Sequence, residues 1–219
     1  MTPHHHPSEA TLLAYAAGGL GEGLSLVVAC HLAFCADCRS WVAEGEAIGG
    51  SLLEELAPAE LDRGARERML ALIDKASPTP IQAAPHRPAD PLVPAPLAAY
   101  LGGGIDAIHW RSLAPGLRQF EIVPHDLMGG ANLRMLRISP GKKLPRHSHT
   151  GTELTLVLSG AYADELGRFS RGDVAETDDD IVHEPVSARD EDCVCLIATE
   201  GPLKFRSFIA RAFQRFSGF

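Results

Sequence analysis

Gly141 to Gly160 read GKKLPRHSHTGTELTLVLSG, and the fold is decided on this stretch. It sets His147, His149 and Glu153 in the pattern H-x-H-x3-E, with a glycine six residues before the first histidine. Histidines at i and i+2 project from one side of an extended strand, so both imidazoles can reach one ion. After Glu153 the run Leu154-Thr155-Leu156-Val157-Leu158 is β-branched and leucine-rich, as buried strands are, and Gly160 closes it. Two neutral nitrogens and one carboxylate suit a borderline divalent metal such as zinc, iron, manganese or nickel. A fourth ligand must come from elsewhere. His183 is the best candidate, eleven residues after Gly172, where Gly172-Asp173-Val174 again reads as a turn feeding a strand.

The chain around this stretch changes character at about Leu97, into short apolar segments separated by turns. Strands are expected at 108–113, 117–123, 132–139, 153–158, 160–165, 173–177, 181–186, 193–199 and 203–209. That many strands at this spacing argues for a β-sandwich or barrel. Cys193 and Cys195 alternate with Val194, so both face one side of their strand, where core packing accounts for them. Asp178-Asp179-Asp180 reads as a turn, and the phenylalanine-rich tail from Phe205 to Phe219 is apolar enough to pack on the barrel or a partner.

The central stretch resembles the cupin family. The first cupin motif, G-x5-H-x-H-x3-E-x6-G, is matched by Gly141, His147, His149, Glu153 and Gly160. The second, G-x5-P-x-G-x2-H-x3-N, is matched at Gly172 and His183, while Asp178, Asp180 and Ser187 stand at its Pro, Gly and Asn. The resemblance implies a β-barrel holding zinc or another divalent transition metal on His147, His149, Glu153 and His183.

Before the barrel, residues 77–96 hold seven of the sixteen prolines and read as an extended, semi-rigid spacer. Residues 1–76 read as helical. Ser8-Glu9 starts a helix with an apolar face at Leu12, Leu13, Tyr15 and Ala16, and Gly18-Gly19 stops it. Further helices fit 22–34 and 36–48, and a break at Pro58 precedes an amphipathic helix bearing Leu61, Met69, Leu70, Leu72 and Ile73. Trp41 is expected in the core. A unit of this size needs a staple. HLAFCADC supplies one, since His31, Cys35 and Cys38 have the spacing H-x3-C-x2-C. His31 and Cys35 lie one turn apart at a helix end, and the cysteine pair can wrap an ion at the next helix start, where thiolate is favoured. Cys30 points about 100° away from His31 on the same helix and belongs to the core. Tetrahedral zinc needs a fourth ligand, and a histidine from His4-His5-His6 is placed to supply it.

Composition narrows the classes. At 219 residues with 45% hydrophobic content, the chain is long enough for one large or two modest domains. No apolar run approaches the roughly eighteen residues that span a bilayer, and MTPHHHPSEA lacks the pattern of a secretory signal, so a cytoplasmic address is expected. Five cysteines, three of them close to one histidine, read as metal ligands or reduced thiols rather than a disulfide frame. Residues 1–76 carry five Lys/Arg against eleven Asp/Glu, a net −6 of the total −8. Such a domain is a poor nucleic-acid binder and is better matched to a basic protein surface.

The H-x3-C-x2-C spacing resembles the zinc-binding anti-sigma factors of bacteria, and a cupin behind it narrows the resemblance to the ChrR group. By position the zinc ligands this implies are His6, His31, Cys35 and Cys38. The implied fold is multi-domain α + β: a small N-terminal zinc-stabilised helical domain (1–76), a Pro-rich linker (77–96) and a C-terminal cupin β-barrel sensor domain (97–219). The implied function is transcriptional regulation. The helical domain would sequester an extracytoplasmic-function sigma factor, and the metal-bearing barrel would release it on oxidative, singlet-oxygen-like stress. The resemblance points away from an enzyme and leaves room for a homodimer formed through the barrel. The rival reading is a metal-dependent cupin dioxygenase with an accessory zinc domain, which has no evident need of the dedicated H-x3-C-x2-C unit.

Overall fold

A computed structural model describes residues 2–76, 90–123, 132–202 and 204–205. Helices come first and an antiparallel β-domain follows. α1 (Glu9–Ala16) is capped by Ser8, whose hydroxyl accepts from the Thr11 amide. α2 (Glu22–Leu32) buries Leu24, Leu26, Val27, Val28, Cys30 and His31, being apolar nearly all round. Such a helix must be covered on several sides. α3 (Ala36–Glu54) starts at Cys35, which serves as its N-cap, and runs six residues past the expected end. α4 (Ala65–Lys75) forms where an amphipathic helix was expected but buries no residue. Trp41 is 42% exposed rather than core, because the buried face of α3 runs through Cys38 and Val42 and its position is rotated about 100° from the latter.

The expected linker is shorter on its C-terminal side, and residues 77–89 of it lie outside the described ones. Proline is tolerated in a first turn, and α5 (Ala95–Leu101) begins just after Pro94 with Pro96 inside that turn. Leu97 is fully buried in α5.

The β-domain contains a six-stranded antiparallel sheet built from β1 (Arg111–Ala114), β2 (Leu117–Ile122), β3 (Asn132–Ile138), β5 (Glu153–Ser159), β8 (Val174–Thr177) and β10 (Cys193–Thr199). Their order is β1-β2-β3-β10-β5-β8. Against it lie a three-stranded sheet, ordered β7-β6-β9, and a two-stranded one. The former comprises β6 (Ala161–Asp164), β7 (Gly167–Ser170) and β9 (Val186–Ser187), and the latter β4 (His147–Ser148) and β11 (Lys204–Phe205). The extended segment expected at His147 to His149 is the two-residue β4, and β7 escaped the sequence reading because it is short and largely polar. The strand expected at 181–186 shrinks to a bridge at His183 and the two residues of β9. Pro185 has no N–H for a ladder, which interrupts the segment. Of the strand expected at 203–209 only β11 is described, and the remaining tail residues lie outside.

β5 shows why its sequence is apolar without a break. Val157 packs in the barrel interior with Leu136, Ile138, Tyr162, Phe169, Cys193 and Cys195. Leu154, Leu156 and Leu158 face the other way and share one core with Val27, Val28 and Leu97. Successive strand residues point to opposite faces, and here both faces are covered. The helical segment and the barrel therefore share a core, with α2 lying over β5 and β10. Each fully buried Val or Leu at this junction contributes roughly 1.5–3 kcal/mol. Among the described residues no helix is long and apolar enough to cross a membrane.

Candidate functional site

Among the described residues two clusters of ligand-type side chains form, one inside the barrel and one where the helices meet it. Backbone pairing builds the first. His147 and His183 exchange both amide-to-carbonyl hydrogen bonds, each 3.1 Å, which sets the two rings side by side. His149 follows β4, and Glu153 opens β5 opposite Thr177 of β8. Each imidazole is held from outside through Nδ1. His147 Nδ1 donates to the Pro145 carbonyl at 2.7 Å, His183 Nδ1 to Asp164 Oδ2 at 2.8 Å, and His149 Nδ1 lies 3.3 Å from the Thr177 hydroxyl. In the neutral rings the Nε2 lone pairs of His147 and His183 then confront each other at 3.2 Å. His149 Nε2 is buried and makes no hydrogen bond, although it lies 3.2 Å from Glu153 Oε2.

A buried lone pair without a donor, as at His149 Nε2, is costly, and a cation beside it removes the cost. Burial, helped by the neighbouring His183, lowers the His147 pKa to about 4; burial and the other two rings lower that of His149 to about 3. Burial also raises the Glu153 pKa to about 7. The three imidazole nitrogens lie within 4.8 Å of one another, and this donor set fits a divalent transition metal. Glu153 stands at the margin of that group, where it also accepts from the Thr155 hydroxyl at 3.1 Å.

The second cluster joins His6, His31, Cys35 and Cys38, with their ligand atoms within 4.8 Å of one another. α2 ends with His31 buried, and the short turn after it brings Cys35 to the N-cap of α3, where its Sγ accepts from the Cys38 amide. His6 Nδ1 lies 3.4 Å from both sulfurs, and His31 Nε2 lies 3.3 Å from Cys38 Sγ. Burial, followed by the adjacent Cys35, raises the Cys38 thiol to about 12, and burial lowers the His31 pKa. Two sulfurs and two imidazoles in this disposition suit tetrahedral zinc. The structure brings His6 rather than His5 to the cluster, since the His5 ring packs on Phe169 at 4.5 Å. Cys30 is buried away from it and Cys193 lies 3.6 Å from Cys195 inside the barrel, both thiols free.

Of the residues that orient these side chains, Asp164 and Thr177 were invisible to motif reading, and Gly172 was read there only as the turn before a strand. Asp164, Thr177 and the Gly172 carbonyl, which accepts from His31 Nδ1 at 2.8 Å, are brought in by pairing over long sequence distances.

Comparison with known proteins agrees with this architecture. Residues 102–203 match the ChrR cupin-like domain. The chain is 47% identical over 216 residues to the protein named Anti-sigma-E factor ChrR of Cereibacter sphaeroides, covering 99% of both. The chain belongs to the ChrR anti-sigma factor family. Its fold superposes on ChrR in the crystal structure of the Rhodobacter sphaeroides SigE complex with a TM-score of 0.79 at 44% identity, covering 90% of this chain and all of that one. ChrR family membership thus spans both the helices and the barrel.

Proposed function

We propose that this chain is an anti-sigma factor that sequesters an extracytoplasmic-function sigma factor and releases it under oxidative stress. What carries the reading is near full-length similarity to a protein named as an anti-sigma-E factor, together with the solved SigE complex of such a protein. An uncovered apolar surface supports it. Ile48, Leu52, Leu53 and Leu56 at the end of α3, and Leu61, Met69, Leu70, Leu72 and Ile73 on and before α4, are all exposed. Apolar residues gathered in this way mark a protein-binding surface. The −6 charge of residues 1–76 suits a basic protein partner and disfavours direct nucleic-acid contact. The partner works on RNA polymerase, so the proposed location is the cytoplasm.

In this reading residues 1–76 carry the inhibitory surface and the barrel carries the sensor. His6, His31, Cys35 and Cys38 would hold zinc, which cross-links the N-terminal segment to α2 and α3. His147, His149, Glu153 and His183 would hold zinc or another divalent transition metal, which supplies a Lewis-acidic centre with room for a further ligand. An oxidant that modifies one of these four residues removes a ligand and alters the barrel against the helices. A roughly 100-fold loss of partner affinity needs about 2.7 kcal/mol of coupling. Loss of one ligand from a buried centre is of that order, whereas loss of an exposed charge is not.

The test is a reporter driven by the partner sigma factor, with and without photosensitiser and light. Wild-type chain should repress in the dark and release in the light. His147→Ala and Glu153→Ala should repress equally and fail to release. Failure of the purified wild-type chain to bind any extracytoplasmic-function sigma factor of its cell would overturn the function. Normal release by a variant shown to have an empty barrel would overturn the sensor. The dioxygenase alternative is not favoured by the relationship to a regulator.

A further inference from the structure

The two clusters are not independent in the folded chain, because one short strand touches the outer side of both. At its C-terminal end, Thr177 places its hydroxyl 3.3 Å from His149 Nδ1 and pairs with Glu153 across the ladder. At the turn that leads into it, the Gly172 carbonyl accepts from His31 Nδ1 at 2.8 Å. Between these ends, side chains of the same stretch hold the segment that carries His6. Asp173 Oδ1 accepts from the His4 and His5 amides, at 2.6 and 3.0 Å, and the Val174 amide donates to the His5 carbonyl at 3.1 Å. Glu176 accepts from the Ser8 amide at 2.7 Å and from the Thr11 hydroxyl at 2.8 Å.

β8 is an edge strand of its sheet, with β5 on one side and the N-terminal segment on the other. Its β5 side is clamped: the Gly172 amide donates to the Val157 carbonyl at 2.8 Å and the Val157 amide to the Asp173 carbonyl at 3.1 Å. Five residue steps separate Gly172 from Thr177, about 17 Å at the rise of an extended strand. Hydrogen-bonded on both sides, the strand has little freedom to bend between its ends. A change in the position of His149 therefore shifts Thr177 and is passed in register to Glu176, Asp173 and Gly172. Two consequences follow at the far end: His31 loses its fixed orientation, and the segment bearing His6 loses its anchor.

We propose that Thr177 is a positioning residue for both clusters, and that β8 with its Gly172-Asp173 turn couples their metal occupancy. The inference rests on the metal-binding reading of the two clusters given above. It identifies a hydrogen-bonded connection between the sensor and the helices that bind the partner, beside the core that α2 shares with β5 and β10. Coupling is reciprocal by thermodynamic necessity, so each ion must tighten the other by the same factor.

Cobalt(II) gives each cluster its own readout. Only the cluster with Cys35 and Cys38 can show thiolate-to-cobalt charge-transfer absorption, because no thiol is among the four barrel residues. The full chain is loaded with cobalt and titrated with a chelator, following that absorption and counting ions, in wild type, Thr177→Val, Thr177→Ser and His183→Ala. We expect His183→Ala and Thr177→Val each to weaken the distant thiolate site by about 5–50-fold, within the usual range of coupling between sites. Thr177→Ser, which keeps the hydroxyl, should stay within about twofold of wild type on the same scale. Thiolate-site affinity unchanged in both His183→Ala and Thr177→Val would overturn the proposal. So would Thr177→Ser behaving like Thr177→Val, since packing would then be responsible and not the hydroxyl. Should Thr177→Val not fold, Cys38→Ser gives the reciprocal measurement, with loss of the thiolate site expected to weaken the barrel site by the same factor. An unchanged barrel affinity there would also overturn it. Fewer than two ions in wild type would defeat the metal reading itself, and the ion count shows this before any affinities are compared.

Discussion

Replacing Asp164 by asparagine alters the barrel cluster at one atom without touching a proposed ligand. The Asp164 side chain is wholly shielded from solvent. Its Oδ2 accepts from His183 Nδ1 at 2.8 Å and its Oδ1 from the Leu166 amide at 2.9 Å. Burial opposes ionisation of this carboxyl, but hydrogen bonds from His183 and from the Leu166 and Gly167 amides outweigh it and hold its pKa below the ordinary value. Asparagine keeps the shape but has one acceptor oxygen, so its amide nitrogen must face one of the two donors. The variant thus loses a hydrogen bond to a charged acceptor, about 1.5–3 kcal/mol. His183 is then free to turn, and its Nε2 leaves the direction of His147 and His149. At about 1.4 kcal/mol per factor of ten, ion affinity at the barrel should fall roughly 10–100-fold. That is also the range found when partners of metal-binding histidines are removed, about 10–100-fold. Chelator competition on the full chain, with circular dichroism to establish folding, measures the loss. A folded Asp164→Asn chain that binds its barrel ion within about twofold of wild type would show that this geometry does not orient a ligand.

Three further outcomes are expected. The double change Cys35→Ser with Cys38→Ser should remove one of two ions per chain and strip amide-exchange protection from α1 to α3, because structural zinc binding is also folding free energy; an unchanged ion count contradicts it. Gly160→Ala should cost at least about 2 kcal/mol in chemical denaturation, since the left-handed conformation alone costs roughly 1–2 kcal/mol for a residue with a Cβ. The Gly160 φ is +70°, and a Cβ there would sit 2.5 Å from the Asp192 carbonyl oxygen and 3.0 Å from Cys193 Cα. Tyr100 donates to Glu22 Oε1 at 2.6 Å, tying α5 to α2, and this hydrogen bond, with burial, raises its pKa to about 12. A raised folded-state pKa gives stability that is full below the free tyrosine value near ~10 and lost as pH climbs toward the folded one. Tyr100→Phe should cost about 1 kcal/mol at neutral pH and flatten the alkaline fall of the melting temperature; an identical alkaline profile in the variant would refute the link.

Much of this protein is legible in its sequence, because the decisive signals are local. His147, His149 and Glu153 fall within seven residues, so strand geometry alone gathers them. The spacing of His31, Cys35 and Cys38 places a helix end against the next helix start in the same way. Ser8 as a cap, the apolar run of β5 and the core position of Cys30 likewise need only neighbours in the chain. What tertiary structure alone decided depends on pairing between distant segments. Nothing near His183 names Asp164 as its partner, and nothing near His31 points to the Gly172 carbonyl 141 residues away. The choice of His6 over His5 follows from the register in which the N-terminal segment lies along Asp173 and Val174, and a one-residue slip would exchange them. Trp41 was misjudged as core, and the exposure of the α4 apolar face could not be foreseen, for a related reason. Apolar periodicity shows that a helix has a face to bury, whereas only the packed chain shows that the α4 face stays exposed. Local spacing fixes which side chains can meet on one element. Only the closed barrel, with α2 laid over β5 and β10, determines what stands behind them.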